Sequence, residues 1–137
     1  MQVIIYSQDN GQVAVCYPTG ELPVEELLSR DCPEGAVIVD NDSLPNEHDE
    51  FFDAWELNGT IVTVNLVKTK AIAHNKRREA RSVEFAPHDE IIMKQIPGAD
   101  STAAEVARAA IRTKYSIMQT AIDSASTVDA VKSAMPQ

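Results

Sequence analysis

At Leu66 the chain changes character. Before it, short β-branched and aromatic runs alternate with turn residues; after it, residues 67–85 contain neither glycine nor proline and are dominated by Lys, Arg, Ala and Glu. The first pattern has the period of strands, and the second has the composition of a helix. Charge changes at the same place. Residues 1–66 carry 13 acidic side chains and one basic one, Arg30, for a net −12, whereas residues 67–137 carry 8 acidic and 11 basic ones, for a net +3. We therefore expect an α+β chain in two parts. The first is an acidic α+β unit, 1–66, with a small antiparallel sheet and a short helix. The second is a helical region, 67–137, made of a helical hairpin and a terminal short helix.

Within the first part, residues 2–7 and 12–17 flank Asp9-Asn10-Gly11 and predict a hairpin. Pro23 opens a short helix over residues 24–30, and residues 36–39 (Ala-Val-Ile-Val) predict a further strand. The acidic stretch 40–53 reads as a loop with one helical turn near Phe51 and Phe52. A second hairpin is expected from residues 54–57 and 60–66 around Asn58-Gly59, with Thr60, Val62, Val64 and Leu66 facing inward. Phe51, Phe52 and Trp55 should anchor the acidic loop on the core.

In the second part the spacing predicts a long helix over 67–85, interrupted by Pro87, with residues 88–95 resuming it and Pro97-Gly98 breaking it. Asp100, Ser101 or Thr102 would cap the next helix, with Glu105 completing a capping box. Its core stripe is Ala107, Ala110, Ile111, Lys114, Tyr115, Met118, Ala121 and Ile122, and Lys114 is the one charged member. Ser126 or Thr127 caps a last helix from Val128 to Met135. The basic helix offers little apolar surface to match this stripe. Ala107, Ile111, Tyr115, Met118 and Ile122 are therefore the candidate self-association face of a homo-oligomer.

Chemistry is sparse. His48, His74 and His88 have no partners at zinc-site spacing, Cys16 and Cys32 form no Cys-x-x-Cys pair, and no serine lies in a Gly-x-Ser-x-Gly setting. We expect no enzyme, no metal and no cofactor, with both cysteines as buried thiols. No apolar run approaches membrane-spanning length, and no signal peptide is legible, which predicts an intracellular protein. Two charged contact faces stand out. Lys76, Arg77, Arg78 and Arg81 lie in a basic cluster spread around a helix without an interleaved aromatic, which argues against nucleic acid. Glu47, Asp49, Glu50 and Asp53 form the acidic face, which suits a phosphate-backbone mimic that inhibits a DNA-binding or host-defence protein.

The order of parts adds a resemblance. Residues 33–36 (Pro-Glu-Gly-Ala) before a strand, Asp42-Ser43-Leu44-Pro45, Phe52-Asp53-Ala54-Trp55, the strand at 61–66, Arg-Arg-Glu-Ala-Arg at 77–81 and the closing segment 125–136 resemble a family of small tailed-bacteriophage and prophage proteins encoded near tail and tail-fibre genes. The chain departs from that pattern at Met135, where the family has an aromatic, and in the acidic stretch 46–50. The resemblance implies a virion-associated or tail-assembly role without a reaction. Its partners would be other virion or tail proteins, in the host cytoplasm during assembly and in the particle.

Overall fold

The computed structural model describes residues 1–94 and 101–137. The chain divides into two compact units, Met1–Thr69 and Lys70–Gln137, and it is α+β: small antiparallel sheets come first and helices follow.

In the first unit, β1 (Gln2–Ser7) is the middle strand of a three-stranded antiparallel sheet, between β2 (Val13–Cys16) and β3 (Val37–Asp40). Val3 pairs with Val39, and Ile5 pairs with both Val37 and Val15. The β1–β2 turn closes through Gln8 and Gln12, with Gly11 at φ 83°, where a side chain would be strained. Alternation sends Val3 and Ile5 to one face and Ile4 to the other, and all three are fully buried. The Val3–Ile5 face packs with Val13, Leu44, Trp55 and Val62, and so receives the second hairpin, β4 (Trp55–Asn58) and β5 (Ile61–Val64). The helix α1 (Val24–Asp31) packs on β1 and β3 and covers the Ile4 side.

The second hairpin turns one residue later than the sequence suggests. Asn58 is still paired, with Ile61, so the linking residues are Gly59 and Thr60, and Gly59 takes the positive φ of 66°. Val62 is buried, Val64 and Leu66 are half-buried and Ile61 is exposed, in keeping with the inward face expected, but Thr60 falls in the turn and is exposed. The acidic stretch 46–54 is more ordered than a loop. It forms short 3-10 turns kinked at His48 and Phe51. Phe51, Ala54 and Trp55 are buried beneath it, and the indole N–H of Trp55 donates to the His48 carbonyl at 3.3 Å. Phe52 stays outside and tilts against the Trp55 ring at 4.9 Å. Cys16 and Cys32 are free and half-buried rather than buried. Burial pushes the Cys32 thiol up, helped by the neighbouring Cys16 sulfur.

The strand β5 ends at Val64 because Asn65 begins a helix. Its side-chain oxygen accepts from the Lys68 amide at 3.0 Å, while its amide group donates to Glu56 at 2.9 Å. Lys68 also reaches Glu56 at 3.0 Å, and these two hydrogen bonds hold the Glu56 carboxyl below its ordinary range. The helix α2 (Leu66–Lys94) then runs straight through Pro87. Proline removes the bond to the carbonyl four residues back and crowds that carbonyl with its ring; the residue there, Val83, is on the exposed side of the helix, where water can serve its oxygen.

In the second unit α2 lies antiparallel to α3 (Ser101–Ser124): His74 meets Asp123, Glu84 meets Lys114 and Asp89 meets Arg108. Ser101 and Thr102 are already helical, so Thr102 is not the cap. Asp100 and the Pro97-Gly98 break lie outside the described residues. The Thr127 hydroxyl caps α4 (Val128–Ala134) by accepting from the Ala130 amide at 3.1 Å, and Val131 and Met135 are buried. Replacing Phe51 by alanine should cost the first unit about 3–5 kcal/mol and free the 46–54 segment, measured as a lowered urea midpoint of Trp55 fluorescence.

Candidate functional site

The inward side of α3 repeats at intervals of four and three: Ala104, Arg108, Ile111, Tyr115, Met118 and Ile122 are all buried or half-buried. Such spacing keeps one stripe in line with a partner helix. Tyr115 and Ile122 are buried, and Ala107, Ile111 and Met118 are half-buried, so the stripe read as a self-association face is spent largely within the chain's own helical unit. Ala110, Lys114 and Ala121 lie outside it, exposed. Lys114 reaches across to Glu84 at 2.7 Å and passes over the Tyr115 ring at 5.1 Å.

Four of the residues in the basic cluster part company. Lys76 is exposed on α2, whereas Arg77, Arg78 and Arg81 line a groove of about 720 Å³ between α2 and α3. The other wall supplies Arg108 and Arg112, so among the described residues five guanidinium groups share the groove with one carboxylate, Asp89. An aromatic is present after all: Phe85, one turn beyond Arg81, carries the Arg81 guanidinium 4.7 Å above its ring and that of Arg108 at 5.8 Å. Sequence reading missed Arg108 and Arg112. The signal was their spacing of four residues, which matches that of Arg77 and Arg81 and aligns two arginine pairs once the helices are antiparallel.

Arg77 is only 7% exposed. Its Nε donates to Nδ1 of His74 at 3.3 Å, which leaves the ring proton on Nε2 to meet Asp123 Oδ1 at 2.7 Å. Lys70 fixes the same end by donating to the Asp123 carbonyl at 2.9 Å. Burial, then the nearby Arg78 and Arg81, holds the Arg77 guanidinium below its ordinary pKa, and it remains a cation. Among the described residues nothing accepts from its two terminal nitrogens. Around it, Arg78 donates to Asn75 at 2.9 Å. Arg108 is already neutralised, by Asp89 at 3.0 Å in an ion pair not aligned as a hydrogen bond and by Glu105 at 3.1 Å. Arg112 lies 3.9 Å from the same Glu105.

The acidic face is elsewhere, in the first unit. Glu47, Asp49, Glu50 and Asp53 are exposed along the 46–54 turns, with Glu47 4.0 Å from the His48 ring and Asp53 accepting from Gln12 at 3.5 Å. No group of three metal-ligating side chains occurs among the described residues. No helix among them is long and apolar enough to cross a membrane.

Tyr115 closes the groove wall, and burial, followed by its hydrogen bond to the Glu84 carboxylate, raises its pKa. The folded chain then keeps this proton where the unfolded chain has released it, so stability falls as pH rises past the ordinary tyrosine value of about 10. Ultraviolet titration of the phenolate should show a step displaced to the alkaline side, and Tyr115→Phe should remove it.

No family model matches the chain, and neither a curated protein nor a solved structure does.

Proposed function

We propose that the chain is a bacteriophage structural or tail-assembly protein that acts by protein–protein contact and self-associates through its helical unit. The resemblance of its segments to tailed-phage proteins supplies the setting. The observation that carries self-association is the outward face of α3. Opposite the packed stripe runs a second one at the same spacing: Val106, Ala110, Thr113, Ile117, Thr120 and Ser124, all exposed and all uncharged. Val106 and Ile117 are each 66% exposed, and a shallow hollow beside Ile117 is floored by Ala121 and Thr120. Two heptad-spaced seams on opposite sides of one helix fit a helix that packs once within its chain and once against another copy.

An acidic inhibitor of a host defence or DNA-handling protein is the second reading. Its support is the ordered frame beneath Glu47, Asp49, Glu50 and Asp53, which holds four carboxylates on one short segment.

Light scattering should give an oligomer mass for the native chain and a folded monomer for Val106→Asp with Ile117→Asp; an unchanged mass would remove the outward face as the interface. Quantitative mass spectrometry of purified phage particles should find the chain at a fixed ratio to the major capsid protein. Its absence from particles, with binding to a host protein that is lost on converting the four acidic residues to Gln and Asn, would favour the inhibitor.

A further inference from the structure

We infer that the groove between α2 and α3 is a binding site for a compact phosphate-bearing anion of the di- or triphosphate class, held by Arg77, Arg78, Arg81 and Arg112. The inference begins with Arg77. A guanidinium removed from water needs hydrogen-bond acceptors for all its donors, or the burial is costly. Among the described residues this one has a single protein acceptor, the His74 ring nitrogen, at its Nε, and the side chain lines an open groove. The Asp123–His74 pair behind it behaves as a brace, since it fixes the ring that fixes Nε. What is oriented in this way is a two-pronged donor, the geometry that matches two oxygens of a phosphate.

The neighbouring groups set the charge of the ligand. Arg78 and Arg81 have no carboxylate partner among the described residues, and Arg112 has only the edge of Glu105. The ring of Phe85 steadies the Arg81 guanidinium without neutralising it. A single carboxylate would bring one negative charge and two oxygens to this set, too few for four guanidinium groups. A di- or triphosphate brings several of each.

The ends of the groove set its length. Asp123, level with His74, stands at one end, and Asp89 with Glu105 stands at the other. From His74 to Asp89 is roughly 22 Å along the helix at 1.5 Å per residue. A nucleic-acid backbone would have to carry its phosphates past these carboxylates, whereas a small anion sits between them. The volume of about 720 Å³ is that of a small-molecule site.

The site can be tested on the full chain by calorimetric titration with inorganic tripolyphosphate. One tripolyphosphate should bind per chain. Arg78→Gln with Arg81→Gln, both exposed positions, should weaken it about tenfold or more, because hydrogen bonds to charged groups are being removed. Lys76→Gln, exposed on α2 outside the groove, should change it little. Arg77→Gln should weaken it further, with helicity by circular dichroism showing whether that variant is folded. The absence of tripolyphosphate binding, or equal losses from Lys76→Gln and the groove pair, would overturn the site. Oligothymidylate that binds several chains and competes better than tripolyphosphate would overturn the compact ligand in favour of nucleic acid. Hexaglutamate that binds as tightly as tripolyphosphate would overturn the phosphate in favour of an acidic peptide.

Discussion

The helical unit is built around a guanidinium that is mostly buried yet opens onto a groove. Arg77 occupies a position on α2 where an ordinary helical hairpin would place an aliphatic side chain, with Ala73 one turn before it and Phe85 two turns after. Burying a cation costs more than burying a methylene repays, so the helices can close there only because His74 and Asp123 engage it from behind and the groove stays open in front. The rest of the contact follows the same logic. Glu84 with Lys114 and Asp89 with Arg108 cross between the helices, and apolar contact is concentrated on the α3 side, at Ala104, Ile111, Tyr115 and Ile122. These exposed ion pairs contribute little stability singly. All three cross-helix pairs, His74 with Asp123, Glu84 with Lys114 and Asp89 with Arg108, are met together in the observed antiparallel register.

The first unit follows the opposite economy, and this explains which parts of the chain were legible. Val3, Ile4, Ile5 and Val13 belong to short β-branched runs bounded by turn residues, a signal carried by the strands alone, so the first sheet could be read from its residues. The Thr127 cap was equally local, as were Ala107, Ile111, Tyr115, Met118 and Ile122 of the α3 stripe, whereas Ala110, Lys114 and Ala121 of the same stripe proved exposed. What escaped needed knowledge of a neighbour. Pro87 looked like a break because its missing amide is visible in sequence, whereas the exposure of Val83, the residue whose carbonyl loses its partner, is not. The Asn58-Gly59 pair suggested its own turn, but strand register assigned Asn58 to the ladder. Asn65 was a readable cap that the strand pattern overrode. Arg108 and Arg112 became part of a site only when the antiparallel pairing set them facing Arg77 and Arg81, and no single-helix pattern carries that information.

The third helix emerges as an element with two uses. One side packs within the unit and contributes a wall to the arginine groove; the opposite side, uncharged from Val106 to Ser124, is exposed. A helix with both seams at coiled-coil spacing can serve its own fold and an assembly at once, and substitutions on the two sides separate the two roles. The charge layout is similarly divided. Four carboxylates of the first unit are displayed along the 46–54 turns, and Arg77, Arg78 and Arg81 of the second line a groove, so the opposite signs carried by the two halves appear as distinct surfaces of distinct units.

Trp55 is the chain's single tryptophan, and it belongs wholly to the first unit, where its indole is buried under the acidic turns and touches Phe52. Most helical backbone belongs instead to the second unit, in α2, α3 and α4. The two common optical signals of folding are thereby assigned to different halves of one polypeptide: indole emission follows the sheet unit, and helical ellipticity follows the arginine-lined pair. Without any added label, the chain reports separately on its two halves, and the offset between the two melting curves measures how tightly their folding is coupled.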